Sequence, residues 1–216
     1  MRKERWALQI MLLAAAAVLL FSGCGSKRKN VEELELSSLF SEEEGYHFGN
    51  IRWGMNRKEI QEVTDKALTS AAGYGANDIS ILNAEGLGIR LMGRVCDGAT
   101  AAFDKNDVCY MISFVFRDGK YASSDIKLKE IASAYYEKIV ETFGEPDETL
   151  YDSGMTTSVL THYKECYWNY TTPDGKLTQL QWAMAYAIDE HEPSLLTLGL
   201  ICMTEAVSAE EAVSEE

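Results

Sequence analysis

Apolar residues recur at helical spacing in a segment that follows a Ser-Ser pair near the middle of the chain. Its regularly spaced apolar residues are Leu128, Ile131, Ala132, Tyr135, Ile139 and Phe143. Asp125 in the first turn suits the helix dipole, Gly144 can end the helix, and Pro146 prevents its continuation. The pattern therefore predicts an α-helix over about residues 125–143.

A second helical pattern begins at Asn56, which is followed three residues later by Glu59. This spacing is typical of a capping box, in which the two side chains satisfy the free backbone N–H groups of the first turn. The apolar residues that then share one face are Ile60, Val63 and Ala67. We predict a short helix over about residues 57–68.

Apolar or alternating runs indicate three strands after each predicted helix. The six runs are residues 88–96, 99–103, 108–116, 163–170, 177–187 and 195–203. Turn-forming pairs such as Asp97-Gly98 and Asp174-Gly175 separate them. The order helix, three strands, helix, three strands predicts an α+β fold of two tandem units, 48–120 and 121–203. Each unit would be a helix packed on one face of an antiparallel β-meander.

Polar sequence lies on both sides of this predicted folded region. Residues 24–47 are rich in glutamate and predict a polar tether. Residues 204–216 contain five glutamates and no aromatic residue, and they predict a disordered acidic tail.

The chain begins with a cationic segment, 1–5, and an apolar run of 16 residues, 6–21, interrupted only by Gln9. The run is short for a bilayer-spanning helix, which needs ~20 residues, and so residues 1–23 are predicted to be an export signal. Two small residues, Ser22 and Gly23, precede Cys24. The segment resembles the lipobox of bacterial lipoproteins, and an uncleaved signal anchor is the alternative.

The lipobox resemblance implies that Cys24 becomes the mature N-terminus and carries a diacylglyceryl group, with acyl chains such as palmitate. Two acyl chains give stable anchoring, whereas one is marginal. The expected location is therefore outside the cytoplasm, attached to the cell membrane by lipid.

Composition narrows the function classes. The chain has 216 residues, 46% of them hydrophobic and 25% charged, which excludes a disordered, collagen-like or multi-span membrane protein. Its 20 Lys and Arg face 34 Asp and Glu, for a net charge of −14. An acidic surface repels phosphate backbones, and nucleic acid is therefore not an expected partner.

Four cysteines remain once Cys24 is assigned to lipid. They are Cys96, Cys109, Cys166 and Cys202. An exported chain could join them in two disulfides, but each lies in or beside an apolar run, and no pair has CxxC spacing. We favour reduced cysteines in the core over disulfides, and both over a zinc site.

Residues 51–60 read Ile-Arg-Trp-Gly-Met-Asn-Arg-Lys-Glu-Ile, and 143–146 read Phe-Gly-Glu-Pro. The first resembles the WGM segment that opens the domain of many small bacterial lipoproteins, and the second resembles their YG-x-P helix end. The wider resemblance is to the fold of β-lactamase inhibitory proteins and small outer-membrane assembly lipoproteins. It covers about residues 48–203 and implies a non-enzymatic binding or assembly module. The residues that carry it are Trp53, Gly54, Met55, Gly144 and Pro146.

No established catalytic, metal or cofactor motif is present in the sequence. The histidines, His47, His162 and His191, form no close metal-ligand pair. The densest group of possible ligands, residues 189–192, could hold calcium, but a solvated loop is the simpler interpretation. Nucleophile-elbow, Walker and dinucleotide motifs are missing. We assign no catalytic residue, metal or cofactor.

Aromatic residues are dense on the predicted strands of the second unit. They are Tyr163, Tyr167, Trp168, Tyr170, Trp182 and Tyr186. On an open sheet face they would form a tyrosine-rich binding surface for a protein or another envelope component. The alternative is that they pack within the core and the sheet.

These observations favour a membrane-anchored, extracytoplasmic binding or assembly module of unknown partner. One alternative is an envelope hydrolase or metal-dependent enzyme with a site assembled from scattered residues. Another is an inhibitor of a cell-wall enzyme or β-lactamase, which rests on fold analogy alone.

Overall fold

The structure is a computed structural model that describes residues 33–64, 68–70, 78–82, 89–104, 106–117, 127–156, 159–187 and 193–203. The predicted export signal, Cys24, the possible ligand group 189–192 and the predicted acidic tail lie outside these residues.

The described residues form two α-helices, a short 3-10 helix at Leu36–Leu39 and twelve strands. The α-helices are α1 (Arg57–Thr64) and α2 (Leu128–Phe143). The strands are β1 (Phe40–Ser41), β2 (Gly45–Tyr46), β3 (Leu68–Ser70), β4 (Asp78–Leu82), β5 (Arg90–Leu91), β6 (Arg94–Val95), β7 (Gly98–Phe103), β8 (Cys109–Arg117), β9 (Glu148–Thr156), β10 (Val159–Thr171), β11 (Leu177–Ala187) and β12 (Pro193–Met203).

Eight of these strands form one antiparallel sheet in the order β3-β4-β7-β8-β12-β11-β10-β9. The strands before α2 make one half of the sheet and those after it make the other. The halves meet where β8 pairs with β12, in a register that runs from Arg117 opposite Leu195 to Met111 opposite Ile201. The pairs β1-β2 and β5-β6 are separate two-stranded hairpins.

The prediction of an α+β fold with two tandem helix-plus-meander units is wrong. The protein is mostly β, and its two strand groups are halves of one continuous sheet rather than separate units. The physical reason is that β8 and β12 are apolar strands whose side chains are buried on both faces. Each would leave unpaired N–H and C=O groups in the interior unless the two strands paired with each other.

Both helices form where periodicity predicts them, with shorter bounds. The capping box is confirmed, since Asn56 N–H donates to Glu59 Oε2 (2.8 Å) and Glu59 N–H donates to Asn56 Oδ1 (3.1 Å). The predicted range 57–68 is too long, because Leu68 begins β3. The backbone of Lys127 is extended, so α2 begins after it and not at residue 125.

The main core lies between α2 and one face of the sheet. Leu128, Ile131, Ala132, Tyr135 and Ile139, the apolar face of α2, are all buried. The sheet contributes every second residue of its central strands, as a period of two requires. Those on β8 and β12 are Ile112, Phe114, Phe116, Leu196, Leu198, Leu200 and Cys202.

The described part of the segment expected as a tether, 33–47, belongs to the folded domain. Leu34, Leu39 and Tyr46 are buried in the main core. The Tyr46 N–H donates to Thr178 Oγ1 (3.0 Å) and ties β2 to β11. Gly45 has φ +67°, and a Cβ there would lie 2.1 Å from Thr178 Oγ1. Only glycine fits this approach.

Trp53 holds the N-terminal segment to the core. Its ring is 9% exposed, and its Nε1–H donates to the Tyr46 carbonyl (2.7 Å). A buried indole therefore supplies both a large apolar contact and a hydrogen bond at this point.

We expect Trp53→Ala to lower the free energy of unfolding by about 3–5 kcal/mol, because it leaves a cavity and an unpaired carbonyl. Trp53→Phe keeps most of the ring and should cost clearly less. Urea denaturation of both variants and the wild type measures this. Equal midpoints for wild type and Trp53→Ala would contradict the burial of the indole.

Candidate binding surface

The aromatic residues proposed as a binding surface divide between the two faces of the sheet. Trp168 and Trp182 lie on the α2 side, 2% and 0% exposed. Tyr170, on the same side, packs edge-on against Phe40 with ring centroids 4.8 Å apart. Tyr167 lies on the opposite face. The structure describes Tyr163 and Tyr186 only through their backbone pairing on β10 and β11. The four described side chains are thus not gathered into one exposed surface.

The residues of the WGM and YG-x-P segments support the fold. Gly54 has φ +101°, a conformation that favours glycine. The Met55 carbonyl accepts the N–H of Cys109 (2.9 Å), joining this segment to the start of β8. Gly144 ends α2 with φ +84°, and its carbonyl accepts Trp168 Nε1–H (2.8 Å). Pro146 follows in the loop that leads to β9.

Hydrogen-bonding side chains cross the sheet face opposite α2. Tyr167 O–H donates to the Glu165 carboxylate and accepts from Gln181 Nε2 (2.9 Å). Gln181 lies over Gly199, where a Cβ would come within 2.8 Å of its Oε1. Burial, the charge of Glu165 and its hydrogen bond raise the pKa of Tyr167 well above its usual range. The phenol therefore stays protonated and holds the network in one arrangement.

All four cysteines of the folded part are buried, and burial in the core is what the interpretation favoured from the sequence expects. Burial raises the pKa of Cys109 to about 12 and that of Cys202 to about 11. Because the thiolate is the reactive form, neither thiol is poised for nucleophilic chemistry near neutral pH.

Of the three histidines, only His47 has a side chain that the structure describes. Burial and the nearby Arg52 lower the pKa of the half-buried His47, which is therefore mainly neutral at pH 7. His162 is described only by its backbone, and His191 lies outside the described residues. Within the described ranges, no three His, Cys, Asp or Glu residues are placed to hold a metal ion.

The most exposed large aromatic residue of the described chain is Tyr151 on β9, at 73%. Its register partner on β10 is Lys164. Lys164 Nζ lies 4.8 Å from the ring centroid of Tyr136 on α2 and 5.9 Å from that of Tyr151. Tyr151 thus projects on the α2 side of the sheet, beside a cation–π contact.

The entry into β9 is held by two hydrogen bonds of Asp147, one through its backbone and one through its carboxylate. Asp147 N–H donates to the Tyr167 carbonyl (2.9 Å), and Asn169 N–H donates to Asp147 Oδ2 (2.6 Å). These bonds place the start of β9 beside β10, with Glu145, Asp147 and Glu148 exposed. We call the backbone of β9 together with these three acids and Tyr151 the β9 edge.

Sequence reasoning missed the β9 edge. Residues 148–156 mix polar and apolar side chains without a clear period of two, so no strand was predicted there. A weaker signal for a strand was present in the sequence. Thr149 and Tyr151 are residue types that favour strands, and they come after Pro146, which cannot continue the preceding helix.

No family model, no curated protein and no solved structure matches this chain. In the part of the chain that the structure describes, neither α-helix is long and apolar enough to span a membrane.

We expect the free energy of unfolding to fall as the pH rises above about 9. Burial raises the pKa of Cys109 from 9.0 to about 12, of Cys202 from 9.0 to about 11, and of Tyr46 from 10.0 to about 12. Between the ordinary and raised values, the unfolded chain loses these protons while the folded chain keeps them.

Urea unfolding at pH 7, 9 and 10 measures this dependence. A double variant, Cys109→Ala with Cys202→Ala, should lose less stability over the same interval than the wild type. The same decline in variant and wild type would show that the two thiols are not its source.

Proposed function

We propose that this protein is a lipid-anchored, extracytoplasmic module that binds a partner and carries out no chemistry of its own. The anchor is supported by the export signal expected at 1–23 and by the small residues before Cys24. The folded domain would then stand next to the membrane, on the outer side.

The observation that carries the binding proposal is the β9 edge. It combines a strand at the end of a sheet with an aromatic side chain that is 73% exposed. Exposed tyrosines are enriched in protein interfaces, where a large ring gains contact area at a small loss of conformational entropy.

The groups whose pKa values are raised are not suited to act as catalytic acids, bases or nucleophiles near neutral pH. Cys109, Cys202 and Tyr167 are all buried, and burial is the first cause that holds each in its protonated form. Catalytic groups need pKa values near the working pH, and these lie far above it. The inhibitor alternative depended on the predicted tandem fold and is not retained.

The anchor is tested by Cys24→Ala in a bacterial host. We expect the wild type in the membrane fraction, extractable only with detergent, and the variant released from it, because the acyl chains are lost. Ser22→Ala keeps a small residue before the cysteine and should remain in the membrane. Retention of Cys24→Ala in the membrane, with normal processing, would contradict lipid attachment.

Binding at the β9 edge is tested by photocrosslinking in intact cells. A photoreactive phenylalanine analogue at position 151 should give a discrete crosslinked species, since that side chain faces solvent. The matched control places the analogue at Glu130. This residue is also exposed, but it lies in the first turn of α2, at the end of the helix that does not lead into β9. Equal crosslinking from both positions, or none from position 151, would contradict a specific surface at β9.

A further inference from the structure

The outer edge of β9 is long and regular. All nine residues of Glu148–Thr156 pair with β10 in a continuous register with no bulge. Among the described strands, none pairs with the other side of β9. In an antiparallel strand, alternate residues direct their N–H and C=O groups to opposite sides. About half of the peptide groups of β9 therefore face outward as a template for another strand.

Three devices that commonly prevent pairing at a sheet edge, namely lysine, proline and a bulge, are missing from β9. The strand contains no lysine and no proline, and its pairing with β10 shows no bulge. The opposite end of the sheet is different, because β3 has only three residues. Of the two ends of the described sheet, only β9 is long enough to hold an added strand of ordinary length.

Acidic residues predominate in the sequence that leads into and forms this edge, although Lys164 lies opposite Tyr151 on β10. Residues 137–156 contain six Asp and Glu and a single lysine. Of these acids, Glu145, Asp147 and Glu148 are exposed to solvent. An added strand with Lys or Arg side chains would meet opposite charges along its length.

The same charges argue against a second copy of this chain as the occupant. In a symmetric antiparallel pair of β9 strands centred at Leu150, Glu148 of one copy would lie opposite position 152 of the other, which is also an acid. Like charges directly opposite destabilise a strand pair. The net charge of −14 adds a general repulsion between copies.

Tyr151 adds a place for a cationic side chain. Lys164 Nζ lies 5.9 Å from its ring centroid, yet 73% of the residue is exposed. The remaining ring surface can take a guanidinium or ammonium group from a neighbouring strand.

From these observations we infer that β9 accepts an extended, basic segment of a partner protein as a ninth strand of the sheet. Backbone hydrogen bonds would supply the register, and the acids and Tyr151 would select for Lys or Arg. This inference rests on the proposed binding function and names the chemistry of the partner.

The probe is a nine-residue peptide in which pairs of Lys alternate with pairs of Thr, so that cations reach both the Glu148 face and the Tyr151 face of an added strand. It is titrated by fluorescence anisotropy into the purified full chain in detergent. The first control replaces every Lys by Glu, and the second is the Lys peptide N-methylated at each residue. We expect both controls to bind at least about tenfold more weakly, because one loses the charge match and the other the backbone donors. Hydrogen exchange at the β9 amides should become slower when the Lys peptide is added, and should not change when either control peptide is added.

Two surface variants locate the site. Glu148→Lys should weaken binding of the Lys peptide about fivefold or more, whereas Glu130→Lys, with the same charge change at the far end of α2, should alter it less than about twofold. Tyr151→Ala should also weaken binding without lowering the melting temperature, because its ring is exposed.

Binding that survives N-methylation, or equal effects of Glu148→Lys and Glu130→Lys, would overturn strand addition in favour of non-specific charge attraction. Self-association through β9, seen as a dimer that Glu148→Lys strengthens, would overturn it in favour of a second copy. Failure of these peptide tests leaves the Cys24 and position-151 experiments standing, so the inference and the proposed function can fail separately.

Discussion

The pairing of β8 with β12 is the constraint on which the rest of the structure depends. The two strands are far apart in sequence, yet they pair from Arg117 opposite Leu195 to Met111 opposite Ile201. Both are buried on both faces, and their backbone groups would be unsatisfied without each other. Because α2 connects the two halves of the sheet, this pairing also places α2 across one face, where its apolar side closes the main core.

The same pairing determines where the exposed edge lies. Once β12 is next to β8, β11 and β10 follow as antiparallel neighbours, and β9 is left at the end of the sheet. The Asp147 hydrogen bonds to β10 then hold β9 in register, with Lys164 opposite Tyr151. A pairing in the middle of the sheet thus leads to an exposed aromatic residue and an acidic strand at its edge.

The sequence predicted elements well where side-chain periodicity was strong, and pairing poorly. β11 was predicted with its observed bounds, and α2 with its observed end and a start three residues too early. Periodicity within a strand says nothing about which strand lies next to it, and so the two meanders were expected to be separate. Leu34 and Leu39 were assigned to a tether because glutamates surround them, although both are buried. The aromatic residues of β10 and β11 were correctly placed on strands, but Tyr167 and Trp168 face opposite sides, which residue type alone does not reveal.

An edge strand must avoid pairing with copies of itself while remaining open to its partner. Lysine, proline or a bulge would block both kinds of pairing, whereas a uniform negative charge blocks only strands of the same sign. The acids from Glu145 to Asp152 have this selectivity, since they repel an identical chain and attract a basic one. Anchoring by Cys24 would raise the local concentration of the protein at a membrane, where self-association is most probable. Charge at the β9 edge would therefore reconcile the proposed lipid anchor with an exposed strand whose outer side pairs with no described strand.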